Sequence, residues 1–141
     1  MEALTRLEGW ESRLVAAIEA ARARPYVLGE SDCWRLAAAA IEALTGVNFW
    51  PRFSGYRTKQ EALRTIARIA PTLGEAASKT FGVRPTPAAS ARRGDIALFR
   101  DTSGEDHLGV VTGAHVMLTL PEGIGSVGID HAGVICAWRI G

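Results

Sequence analysis

Apolar residues have helical spacing in the first half of the chain and strand-like grouping in the second. Leu7, Trp10, Leu14, Ile18 and Ala21 recur at three- and four-residue intervals behind the capping-box pattern Thr5-x-x-Glu8, and Pro25 ends that first helix. A short loop over residues 26–31 contains Gly29. A second helix is expected from about Asp32 to Leu44, with Gly46 placed to terminate it in the left-handed conformation. Its run Leu36, Ala37, Ala38, Ala39, Ala40, Ile41 puts small residues on several faces, the composition of a central helix approached closely by its neighbours.

Residues 46–57, with Pro51, Ser54 and Gly55, read as an irregular loop. Two further capping boxes, Thr58-x-x-Glu61 and Thr72-x-x-Glu75, are separated by Pro71. They open an amphipathic helix carrying Leu63, Ile66, Ala67 and Ala70, and a shorter one ending near Phe81-Gly82. A proline- and alanine-containing connector runs from Val83 to Arg93. Short strands are expected over Asp95–Phe99, His107–Thr112, Val116–Leu120, Ser126–Ile129 and Val134–Ile140, punctuated by glycines. Helices followed by a strand meander predict an α+β fold, N-terminal helices on a C-terminal antiparallel sheet, in one domain over 1–141.

Bulk properties narrow the function classes. The chain has 141 residues, 48% apolar and 22% charged, as in ordinary globular proteins. Its net charge of +1 and lack of a basic block give no reason to expect a nucleic-acid partner. No apolar run approaches the roughly 20 residues that span a bilayer, so no membrane anchor is expected. The charged start, apolar core and cleavage site of a secretory signal are lacking as well. Cys33 and Cys136 are the only cysteines and could form a single disulfide.

The candidate chemistry centres on Asp32-Cys33 at a helix start. A thiol there lies near the positive end of the helix dipole and beside unpaired amides, both of which favour thiolate. His107, opening a strand after the Asp101–Asp106 loop, is placed to act as a base. From these residues alone, a nucleophile and a small buried cysteine both remain open. Asp32 has the position of an N-cap, and Asp95 after Gly94 that of a turn or strand-start residue.

Pro25-Tyr26-x-x-Gly29-x-x-Asp32-Cys33, then Gly94-Asp95-Ile96-Ala97-Leu98-Phe99, then His107-Leu108-Gly109-Val110-Val111-x-Gly113 resembles the NlpC-type papain-like cell-wall cysteine peptidases, nearly end to end. The stretches Leu44-Thr45-Gly46, Arg52–Thr58 and Ala137-Trp138-Arg139 are similar to phage-encoded relatives found among tail genes. The resemblance implies Cys33 as nucleophile, His107 as general base and Thr119 at the third polar position. It also implies Tyr26, Asp32 and Trp34 around the substrate or oxyanion. Trp34-Arg35 stands where the family has Ser-Gly, and Leu28 where it has tryptophan. No cofactor is implied.

The implied activity is cleavage of an amide bond in bacterial peptidoglycan peptides through a thioester. The implied location is a virion tail, beside tail-hub or tail-tip proteins, acting at the host cell wall or periplasm. A structural tail component without turnover and a thiol acyltransferase or deamidase are the alternatives.

Other signals are discounted. Gly123-x-Gly125-x-x-Gly128 lacks the strand–helix context of a dinucleotide site. His107, His115, His131 and Cys33 lack metal-ligand spacing, so no metal is expected. Cys136 reads as an inert strand thiol. Trp10, Trp34, Trp50 and Trp138 read as core or interface, and Arg92-Arg93 as a solvated face.

Overall fold

A computed structural model describes residues 4–141. It has the expected α+β order. The helices are α1 (Trp10–Arg22), α2 (Cys33–Thr45), α3 (Lys59–Ile69) and α4 (Leu73–Phe81). The strands are β1 (Ile96–Arg100), β2 (Asp106–Val111), β3 (His115–Leu120), β4 (Gly123–Gly128) and β5 (Val134–Trp138). The strands form one antiparallel sheet in the order β4-β3-β2-β1-β5.

Local signals explain most helix boundaries. Thr58 and Thr72 each accept a hydrogen bond from the amide three residues on, at Glu61 and Glu75, so both capping boxes form at the expected positions. Gly46 ends α2 with φ 79°, and Gly82 ends α4 with φ 70°. Thr5 does not cap α1, which starts only at Trp10, after Gly9 at φ 75° and without a side-chain cap. The reason is tertiary. The Leu7 amide donates to the Leu44 carbonyl at 2.7 Å, tying this segment to the end of α2 instead of to a helical turn.

The alanine-rich α2 is the central helix. Leu36, Ala37, Ala38, Ala40, Ile41 and Leu44 are all buried, and α1 and β2 pack against it. One sheet face meets α2 through Ile96, Leu98, Leu108, Val110 and Met117, with Trp138 and Ile140 completing that core. The opposite face is smaller: Ala97, Phe99, Val111, Val116, Leu118 and Val134 lie under Ala88, Ala91, Val127 and Ile129. The Gly123-x-Gly125-x-x-Gly128 stretch is strand β4, paired along its length with β3. It therefore offers no helix N-terminus to a phosphate.

Asp95 ties the chain ends to the sheet. Its buried carboxylate accepts from the Arg6 guanidinium at 3.2 Å, the Ile140 amide at 3.1 Å and the Arg92 amide at 2.8 Å. Arg6 also donates to the carbonyls of Ile140 and Arg93. Removing the carboxylate would take away the counter-ion of the Arg6 guanidinium and leave the buried Ile140 amide and the part-buried Arg92 amide without their partner. Asp95→Ala should therefore cost about 3 kcal/mol of unfolding free energy, read from urea denaturation. A loss within 0.5 kcal/mol, the usual range of a surface change, would contradict this structural role.

Candidate active site

The 26–31 loop delivers α2 to the sheet through Asp32. This residue is extended, and its side chain caps the helix by accepting from the Arg35 amide at 3.0 Å. Its second oxygen accepts from the Gly29 amide at 2.9 Å and from the Tyr56 hydroxyl. Gly29 has φ +83°, and a Cβ there would run into the Tyr56 carbonyl, so the loop closes against Tyr56 only with glycine. Asp32 is buried, which fits the N-cap role expected of it.

Cys33 is the first residue of α2, and its sulfur faces a place where the sheet opens. Pairing of β2 with β3 covers only Gly109–Val111 with Val116–Leu118. Beyond it, Thr119 and Leu120 pair with β4 alone. The split leaves the Leu108 amide directed at the Cys33 sulfur, where it joins the amides of Trp34 and Cys33 itself in favouring thiolate. Burial and the Asp32 charge act the other way. The balance pushes the Cys33 thiol up to about 12, so it is protonated at neutral pH.

A cavity of about 560 Å³ opens over this sulfur and is also lined by Tyr26, Tyr56, Asp101, His107 and Thr119. A second, more open groove of about 690 Å³ runs between α4 and β5 past Cys136. Only the first combines a helix-terminal thiol with an imidazole. The Tyr26 phenol is pushed up to about 12 by burial, with Asp32, Cys33 and Glu105 adding to the effect. It therefore stands beside the thiol as a hydroxyl donor. Burial and the hydrogen bond to Asp32 likewise hold Tyr56 far above the ordinary phenol range.

His107 occupies the second position of β2, opposite Phe99. Its Nε2 lies 2.9 Å from Asp101 Oδ2. The other Asp101 oxygen accepts from the Ser103 amide, the Ser103 hydroxyl and the Glu105 amide at 2.6–3.0 Å. These contacts with Ser103, His107 and Glu105 hold the Asp101 carboxyl well below the usual carboxylate range. With Nε2–H directed at Asp101, Nδ1 is the nitrogen left to accept a proton. No hydrogen bond joins His107 to Cys33 among the described residues.

Two of the six sequence-derived site residues have different roles from those expected. Thr119 does not reach His107: its hydroxyl is buried without a partner, and Asp101 makes the contact expected of it. β3 carries Thr119 toward β4, whereas Asp101 lies in the same hairpin as the histidine. Trp34 is 5% exposed, with its ring stacked on Phe53 at 4.0 Å between centroids. The indole fills core, and the backbone amide is the part of Trp34 that acts at the sulfur. Its Nε1 has no hydrogen-bond partner.

Asp101 is the site residue that sequence reasoning missed. Its signal was Asp101-x-Ser103 in the loop before His107, a pattern in which aspartate folds back on following amides. Asp101, Glu105 and His107 also bring three potential metal-ligand atoms within 4.8 Å of one another. Within that trio Asp101 already bonds His107, and Glu105 pairs with Lys59 at 3.0 Å. Both cysteines are free thiols, with Cys136 on β5, two strands from β2.

The desolvated thiol makes a measurable prediction. In a Cys136→Ser background, alkylation of Cys33 by iodoacetamide should keep accelerating above the ordinary thiol midpoint of about 8.5. Asp32→Asn should move the rise to lower pH, because it removes the negative charge beside the sulfur. A plateau near about pH 9 in the parent would show that the sulfur is not desolvated.

Comparison with curated proteins finds no match. Residues 5–140 match the family described as a domain of unknown function (DUF6950). That match takes in α1 to β5 together with Asp32, Cys33, Asp101 and His107, and the chain belongs to this family.

Proposed function

We propose that the chain is a papain-like thiol hydrolase that cleaves an amide bond in bacterial cell-wall peptides. The observation that carries the reading is the convergence of a helix-terminal thiol, three backbone amides and an Asp101-held imidazole on one cavity. The NlpC-type resemblance of the sequence supplies the substrate class, and its likeness to tail-gene relatives supplies the setting. In that setting the protein belongs to a virion tail tip and opens peptidoglycan locally.

The chemistry follows from the protonated thiol. His107 Nδ1 takes the Cys33 proton as Sγ attacks the scissile carbonyl, so a ready-made thiolate is not required. The Sγ–C bond forms, and negative charge develops on the carbonyl oxygen. The amides of Cys33, Trp34 and Leu108, together with the Tyr26 hydroxyl, are the available donors. Asp101 stabilises the imidazolium and keeps its orientation. The C–N bond then breaks as His107 returns the proton to the leaving amine. Water next attacks the thioester as His107 accepts its proton; the C–S bond then breaks, the acid product leaves, and His107 returns the proton to the Cys33 sulfur.

One observation favours a second reading. A thiol held near 12 without an imidazole contact is also what a tail component with the fold but no turnover would keep.

Digestion of purified peptidoglycan followed by mass spectrometry separates the two. Cys33→Ala and His107→Ala should abolish release of soluble peptides. Asp101→Ala should lower the rate by about 10²-fold or more, as expected for impaired general acid–base catalysis. Thr119→Val should stay within about threefold of the parent, because its hydroxyl does not hold the base. No release by the folded parent would overturn the hydrolase reading, and equal losses in Asp101→Ala and Thr119→Val would overturn the assignment of Asp101.

A further inference from the structure

The loop that carries the orienting carboxylate also gathers three donor atoms suited to a metal ion. Asp101, Glu105 and His107 each bring one such atom to within 4.8 Å of the other two. The cluster is not simply acidic, because one of its donors is an imidazole nitrogen. Two reciprocal bonds close the loop: the Asp101 amide donates to the Glu105 carbonyl at 2.9 Å, and the Glu105 amide to Asp101 Oδ1 at 3.0 Å. Both carboxylates therefore stand at the loop end of the β1–β2 hairpin, next to His107.

The remaining lone pairs point the same way. Asp101 Oδ1 is filled by the Ser103 amide, the Ser103 hydroxyl and the Glu105 amide, whereas Oδ2 has only His107 Nε2, at 2.9 Å. Two ligands on one tetrahedral zinc ion, at about 2.0–2.2 Å each, stand roughly 3.3–3.5 Å apart, so a shift of about half an ångström would seat the ion between them. The Glu105 side chain is 47% exposed and has room to turn and close a third bond.

A second observation is independent of the trio. Among the described residues, Lys59 is the only lysine or arginine on the cavity, and it reaches from α3 to set Nζ 3.0 Å from Glu105 Oε1. The cavity's own cation is thus already drawn to this place. The pair is exposed on both sides and contributes little, so Lys59 yields readily to a divalent ion. One imidazole with two carboxylates suits a transition metal better than magnesium or calcium, which favour oxygen ligands throughout.

We propose that Asp101, Glu105 and His107 form an inhibitory site for a divalent transition cation such as zinc. In the metal-free protein Nε2–H faces Asp101 and Nδ1 is the accepting nitrogen. A metal on Nε2 needs that nitrogen's lone pair, so the single proton of the neutral ring passes to Nδ1. Nδ1–H cannot take the Cys33 proton, and Asp101 is held by the ion instead of orienting the base. The ring keeps one proton throughout, and a chelator that withdraws the metal restores the first tautomer. Binding rests on the geometry of the loop; inhibition rests on the hydrolase reading, in which His107 is the base.

Binding is measured first, without turnover, by calorimetric titration of the untagged chain with zinc chloride. One site should appear, at least about tenfold tighter for zinc than for magnesium or calcium. His107→Ala should abolish it, and Glu105→Gln should weaken it at least about tenfold. Lys59→Gln should tighten it about two- to fivefold, because the competing ammonium is gone. His115→Ala and His131→Ala should leave it unchanged. Cobalt in place of zinc should show d–d bands without a thiolate-to-metal charge-transfer band. In peptidoglycan digestion, saturating zinc should slow the parent at least about tenfold, the scale of lost base catalysis, and EDTA should restore it. Glu105→Gln should keep cleaving at a zinc concentration that silences the parent.

Absence of saturable zinc binding in the parent overturns the proposal. So does binding that survives both His107→Ala and Glu105→Gln, or a charge-transfer band that assigns the ion to Cys33. Zinc bound at this site with cleavage undiminished overturns the inhibition. Binding with the expected variant pattern, but no cleavage by the metal-free protein, would leave the site standing and remove the hydrolase reading. Cleavage without zinc binding would do the reverse.

Discussion

The buried carboxylate of Asp32 is the constraint on which the site depends. It takes hydrogen bonds from the Arg35 amide of the helix it caps, from the Gly29 amide of the preceding loop and from the Tyr56 hydroxyl beyond α2. Three segments are thereby fixed to one anion, and Cys33 has no independent choice of position. A simple N-cap contributes about 1 kcal/mol. Asp32 is costlier to disturb, since its loss would also strand the Gly29 amide and a buried phenol.

That arrangement sets up an electrostatic conflict at the sulfur. The helix start and the amides of Leu108, Trp34 and Cys33 favour negative charge. Burial and Asp32 disfavour it, and they prevail in the resting protein. The same anion raises Tyr26 and Tyr56, so the thiol is surrounded by groups that keep their protons. His107 and Asp101 belong to a separate hairpin, where the carboxylate is held ionised by local amides and the Ser103 hydroxyl. A neutral thiol and an ionised carboxylate beside an imidazole are thus built on different elements that line one cavity.

Much of this architecture was legible from local chemistry. Thr58, Thr72, Gly46 and Gly82 act within one turn of chain, so their positions determine boundaries without tertiary help. The five strands follow from short apolar runs separated by glycines, but a plain meander would leave β5 beside β4, and its return to the opposite edge beside β1 depends on long-range pairing. Thr5 misled because a long-range bond, Leu7 to Leu44, outweighs a capping box. Trp34 and Thr119 misled for a related reason. Their positions were carried over by matching along the chain, whereas their roles depend on Phe53 for one and on the parting of β2 and β3 for the other.

The exchange of Thr119 for Asp101 has a geometric basis in the β1–β2 hairpin. β1 and β2 remain paired as far as Arg100 and Asp106, so the loop between them starts beside the histidine. Asp101 is the first residue of that loop, and its Asx-type bonds to Ser103 and Glu105 fold the carboxylate back toward His107. A residue on β3 would have to cross the split between β2 and β3 to do the same. That split is what exposes the Leu108 amide to Cys33. The opening that supplies a donor at the sulfur also ends the β2–β3 pairing before His107, and the imidazole takes its hydrogen-bond partner from its own hairpin, at Asp101.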